Sequence, residues 1–261
     1  MLRRVGTKVK IAQKINQFFP DHDIYVEIFF GSGGMFFNKK PISKYNILND
    51  LDNDVYNLFD IVMRHKQELI DYMNAIPYHR EFLNEARYRT PDNDVEKAAY
   101  FLFVSNYTLY GKGDTLKFGI ENAQSILLEN LEKTYKFLVN VNTKFTNVDF
   151  REVLGKIQKR RMGATFVYCD PPYLNTCDNY SNSFKKQDVI DLMDLLKDSG
   201  YMFAYSEFDN EFVVDEARKR GFDIKYIGER QSLKNRNTEI LIVNYEVNND
   251  LFGVSDEQAI P

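Results

Sequence analysis

The sequence predicts an α/β fold: a Rossmann-like, mostly parallel sheet that carries a helical insert. Three observations lead there. Short apolar runs rich in β-branched and aromatic residues alternate with segments of helical period. One long stretch, 55–138, has helical patterns and no convincing strand. Glycines or acids close three of the apolar runs, where an open α/β sheet places its ligands. With 261 residues, 44% of them hydrophobic, the chain can fill the core of one large domain with such an insert.

The expected strands, in order, are 24–29, 45–49, 144–148, 165–169, 201–205, 222–227 and 239–245, with 144–148 the weakest. Between 188 and 197, Val189, Leu192, Met193 and Leu196 recur at i, i+3, i+4 and i+7, the stripe of a helix laid on a sheet. The core is therefore expected to be discontinuous, 1–54 and 139–246, around the insert at 55–138, with a polar tail at 247–261. Inside the insert, the aromatic run YFLFVSNYTLYGKGDTLKFG turns at Gly111, Gly113 and Asp114.

Bulk properties narrow the function. The formal charge of −4 argues against a general basic face for nucleic acid. Distribution matters more than the sum. Arg3, Arg4, Lys8, Lys10 and Lys14 crowd the first residues without an acid, and Lys156, Lys159, Arg160 and Arg161 form a second cluster. Such clusters are either solvated faces or phosphate contacts. Cys169 and Cys177 are too few for a disulfide framework, and His22, His65 and His79 lack metal-ligand spacing, so no metal is expected. No apolar run approaches the roughly 18 residues of a membrane span, and the N-terminus does not read as a signal peptide. A soluble, cytoplasmic protein is expected.

Three motifs carry chemistry. In VEIFFGSGGMFF a strand runs into Gly31, Gly33 and Gly34, which let the backbone turn and approach a ligand closely. About twenty residues later YNILNDLD ends a strand on Asp50 and Asp52, where a nucleotide-type site holds a ribose hydroxyl. The spacing G-x-G-x-x-G is absent, because Phe36 takes the third place, so a dinucleotide oxidoreductase is excluded. The second motif is Asp170-Pro171-Pro172-Tyr173 after an apolar strand. Asp170 is an acceptor, the prolines offer carbonyls without N–H groups, and Tyr173 offers a flat face. Two acceptors beside a stacking plane suit a planar ring bearing an amino group. The third is Gly6-Thr7-Lys8 before a helical pattern; Lys8 is either a solvated lysine or a reach toward an anionic group.

Together these pieces resemble the Dam-type, D12-class DNA adenine-N6 methyltransferases. They stand in that family's order: Gly6-Thr7-Lys8, Phe30-Gly31-Ser32-Gly33, Asn49-Asp50, the insert, Asp170-Pro171-Pro172-Tyr173, Ser183-Phe184 and RNTEILIVNY. The resemblance covers almost the whole chain. It implies S-adenosylmethionine as methyl donor, S-adenosylhomocysteine as product, and double-stranded DNA as partner; a monomer would suffice. It places Arg4, Lys8, Glu27, Phe30, Gly31, Ser32, Gly33, Asp50 and Asp170 at the cofactor. Asp170, Pro171, Pro172 and Tyr173 become the catalytic motif, with Tyr173 stacked on an extruded adenine. Tyr110 aligns with an aromatic wedge in the DNA stack, the alternative being a core tyrosine. Phe184 is a pocket wall or a core phenylalanine. Arg160, Arg161, Lys234 and Arg236 are candidates for phosphate contacts. The chain departs from the family at Ile28, at Thr7 and in the shorter loop at 111–119, so the family's GATC specificity is not carried over. RNA adenine methylation and a non-catalytic binding homologue are the rival expectations.

Overall fold

The structure, a computed structural model, describes residues 2, 8–117, 122–157, 164–174, 184–231 and 236–247. After α1 (Ala12–Asn16) come β1 (Ile24–Glu27) and β2 (Tyr45–Asn49). Five helices follow: α2 (Asn53–Arg64), α3 (Lys66–Ala75), α4 (Arg80–Tyr88), α5 (Asp94–Tyr107) and α6 (Ala123–Val139). The chain then returns to the sheet through β3 (Thr143–Thr146), α7 (Phe150–Val153), β4 (Thr165–Cys169), α8 (Lys186–Ser199), β5 (Met202–Phe208), α9 (Glu211–Lys219), β6 (Asp223–Gln231) and β7 (Arg236–Val243).

The seven strands form one sheet in the order β3-β2-β1-β4-β5-β7-β6. The pairs from β3 to β5 are parallel, and β7 runs antiparallel to both neighbours. All residues of β1 and β4 are buried, as expected of central parallel strands covered on both faces. Alternation divides the core in two. Tyr25, Leu48 and Phe166 face one cluster, which continues into Leu58, Phe103 and Leu131 of α2, α5 and α6. Val26, Val167 and Phe203 face the other, with Leu192 and Leu196 of α8 and Val213 of α9. The insert therefore shares its core with one face of the sheet.

Strand ends differ from the sequence expectation for local reasons. β1 stops at Glu27 because the chain bends toward Gly31 at φ 53, and Phe30 N–H instead donates to the Asn49 carbonyl at 2.8 Å. β3 stops at Thr146, where the Asn49 side chain replaces the ladder: its amide donates to Val148 O at 2.9 Å and its oxygen accepts from Thr146 Oγ1 at 2.8 Å. β5 runs on to Phe208 through Ser206 and Glu207, polar residues that hide the strand from a hydrophobic reading. β6 passes a bulge between Tyr226 and Gly228, where glycine takes φ 139, and so outlasts its apolar run.

Candidate active site

Strand order reverses across β1 and β4, so their carboxyl ends open a crevice between them. On the β1 side, Gly31 N–H donates to Asp50 Oδ2 at 2.6 Å, and Asp50 Oδ1 accepts from Asp52 N–H at 2.9 Å. A Cβ on Gly31 would meet no atom within 4 Å, so this glycine faces open space. Gly33 does a different job: a Cβ there would lie 2.4 Å from Phe37, so it is a close-packing glycine. Ser32 lies half-buried between them. Phe30 is buried, edge-on to Phe59 at 4.9 Å and Phe145 at 5.6 Å, and anchors the turn to the core. Glu27 is buried at the end of β1 and accepts from Tyr25 Oη at 2.8 Å. Burial pushes its carboxyl well above the usual range, and the charges of Asp170 and Asp50 add to the push.

On the β4 side, Asp170 is the first residue past the strand, with its side chain 20% exposed. Lys8 is buried, with Nζ 3.0 Å from Asp170 Oδ1 and 2.6 Å from Glu239 Oε1. Tyr173 Oη donates to Glu239 Oε1 at 2.5 Å and touches Lys8 Nζ. The Tyr173 ring meets Phe208 edge-on, with centroids 4.5 Å apart. Pro171 is buried and Pro172 half-buried, so the motif lies against the sheet as a stiff bracket. Burial raises the Asp170 carboxyl pKa, Lys8 opposes that rise, and the Glu239 charge reinforces it. Burial also lifts the Tyr173 phenol well above its ordinary value, so it stays a neutral donor.

Two acids that the sequence reading left without a role belong to this site. Glu207, fully buried, accepts from Phe208 N–H at 2.9 Å and Leu174 N–H at 3.4 Å, which ties the end of the Asp170–Tyr173 bracket to β5. Burial pushes its carboxyl up to about 8. Glu239 joins Lys8 to Tyr173. The available signal was an acid inside a strand: YSEFDN and RNTEILIVNY each hold one beside apolar residues.

Tyr110 is 57% exposed on a tight loop after α5, beside the exposed Leu109. A bridge between Thr108 and Leu116, and a bond from Gly113 N–H to Thr108 Oγ1 at 2.9 Å, close that loop. Tyr110 takes φ 56, a left-handed conformation costly for a side chain of its size. Phe184 is half-buried against Phe29 at 5.7 Å and Phe150 at 5.8 Å, at the same carboxyl edge of the sheet. Arg236 opens β7. Arg4, Arg160, Arg161, Ser183 and Lys234 lie outside the described residues.

Comparison with known proteins identifies the family. The family model described as D12 class N6 adenine-specific DNA methyltransferase matches residues 5–236. The type II methyltransferase M1.LlaDCHI of Lactococcus lactis subsp. cremoris is 25% identical, over 92% of this chain and 93% of its own length. The DNA adenine methylase of Escherichia coli K12 is 24% identical, over 74% of each chain. The modification methylase StsI of Streptococcus sanguinis is 24% identical over 94% of this chain, which spans 42% of that longer protein. The chain belongs to the D12 class of N6 adenine-specific DNA methyltransferases.

Proposed function

We propose that the crevice between β1 and β4 methylates the N6 amino group of an adenine extruded from double-stranded DNA, with Asp170, Pro171, Pro172 and Tyr173 as its catalytic motif. The observation that carries the reading is the position of Asp170. It stands directly past β4, held by the buried Lys8, across from a glycine turn that faces open space.

The residues fit the family's methyl donor. The open Gly31 turn leaves room for close backbone approach, Asp50 offers a carboxylate beside it, and carboxylates suit a cationic, hydroxyl-bearing molecule. Glu27, Phe30, Ser32 and Gly33 shape that turn, and Arg4 and Lys8 complete the set assigned to the cofactor. When bound, S-adenosylmethionine supplies an electrophilic methyl group. The residues of this chain supply the orientation. Tyr173 stacks on the extruded base, a contact of about 1–3 kcal/mol, which helps offset the few kcal/mol of unstacking. The Asp170 carboxylate and the Pro171 carbonyl each accept one N6–H. That grip orients the nitrogen lone pair for transfer and stabilises the positive charge growing on nitrogen. Phe184 forms a wall of the base pocket. The insert at 55–138 reads the sequence around the target, with Tyr110 as a wedge, and Arg160, Arg161, Lys234 and Arg236 meet phosphates.

The test is transfer of labelled methyl from S-adenosylmethionine to mixed-sequence duplex DNA. Asp170→Asn should slow transfer by about a hundredfold, the loss of one preorganised hydrogen-bond partner. Asp170→Ala retaining more than about half of wild-type turnover refutes the assignment.

A further inference from the structure

Glu239 sits where a strand rarely holds an acid. The next four residues of β7, Ile240, Leu241, Ile242 and Val243, are all fully buried, and Glu239 itself is 1% exposed. A carboxylate at such a depth persists when it is paired and hydrogen-bonded. Its partners include two residues of the methyl-transfer site: Lys8 Nζ at 2.6 Å and Tyr173 Oη at 2.5 Å, both on the same oxygen. The strand register explains how it gets there. β7 pairs with β5 so that Glu239 lies opposite Phe208, the ring that meets Tyr173 edge-on. One strand pair thus presents both the carboxylate that holds the Tyr173 hydroxyl and the ring that holds its edge.

We propose that Glu239 is a positioning residue for methyl transfer: from β7 it fixes the plane of Tyr173 through the hydroxyl and holds the Lys8 ammonium against Asp170. The inference rests on the roles given above to Asp170 and Tyr173. It explains why the motif ends in tyrosine rather than phenylalanine, since a stacking plane alone needs no hydroxyl. It also makes Lys8 an internal bridge between two carboxylates, whatever else it meets.

The test is a double-mutant cycle on the single-turnover rate, with Tyr173→Phe, Glu239→Ala and the pair. Each single change breaks the same tether, so each should slow transfer by about tenfold, and the pair should be no slower than the worse single. The dissociation constant for S-adenosylmethionine, read by equilibrium dialysis, should stay within about threefold in Tyr173→Phe, which leaves the ion pairs of Lys8 with Asp170 and Glu239 in place. Glu239→Gln is the variant least disturbing to the fold. It keeps an acceptor for Tyr173 and removes one anion beside Asp170, so the acid limb of its pH–rate profile should move to lower pH. The titratable groups facing Asp170 and Glu239 in that profile are Lys8, Tyr173, Tyr168, Tyr205, Cys169, Glu27 and Glu207. Single effects that multiply in the pair, or a Glu239→Gln profile that does not move, overturn the role of Glu239 while an inactive Asp170→Ala leaves the site standing. An active Asp170→Ala overturns both.

Discussion

Glu207 shows what one residue contributes against the stability of its own fold. Its folded pKa of about 8 lies above the ordinary value of 4.5, because burial disfavours the charged form. Between those values the folded protein holds a proton that the unfolded chain has released, so stability falls as pH rises from about 5 to about 8. Glu207→Gln removes that slope. Denaturant titration should find the variant gaining on wild type by a few kcal/mol, of the order set by such a shift, as pH is raised to 8, with little difference near pH 4. A difference that does not change with pH contradicts the buried, protonated carboxyl. The gain in stability should come with slower methyl transfer if the bond to Leu174 N–H seats the Asp170–Tyr173 bracket. Asp170 and Gly31 were legible because a strand followed by an acid and two prolines, or by a glycine turn, has few structural reasons to exist. Glu207 and Glu239 were not, because their meaning depends on register. Glu239 lies 66 residues from Tyr173, and only the pairing of β7 with β5 brings the two together.

At the scale of elements, the insert is held as one piece by polar as well as apolar contacts. Asn93 caps α5 by accepting from Glu96 N–H, a bond of about 1 kcal/mol. Glu96 is buried at the first turn of α5 and accepts from Tyr72 Oη of α3 at 2.6 Å and from Arg89 Nη1, just past α4, at 2.9 Å. The far end of α5 leads straight into the strained, bridge-closed loop that displays Leu109 and Tyr110. A rigid helix with an exposed aromatic at its end is suited to pushing into a base stack. Tyr110→Ala should therefore slow methylation of duplex DNA by about tenfold while changing single-stranded DNA little, because only the duplex has a stack to open. Because the side chain is exposed, the melting temperature should barely move. Equal losses on both substrates would make Tyr110 a general contact and not a wedge. The helices of this region were legible as helices from their period. Their packing onto the same core as β1, β2 and β4 was not, since amphipathic stripes do not say which sheet face they cover.

Across the whole molecule, a mostly parallel sheet brings four separated segments to one edge. The turn after β1, Asp50 after β2, Asp170 after β4 and Glu207 near the end of β5 all lie at carboxyl ends of neighbouring parallel strands. The antiparallel β7 then adds Glu239 from the opposite direction. Fold class and the helical insert follow from alternation and spacing in the sequence. The exact strand ends follow from side chains such as Asn49 that take over backbone partners, which no hydrophobic pattern records. We propose that this edge methylates adenine N6 in DNA. The most direct measurement incubates the protein with labelled S-adenosylmethionine and unmethylated genomic DNA, then maps modified bases by sequencing. N6-methyladenine confined to one short sequence motif is the predicted result. Label on cytosine, or no label on DNA from a protein that binds S-adenosylmethionine, would contradict it.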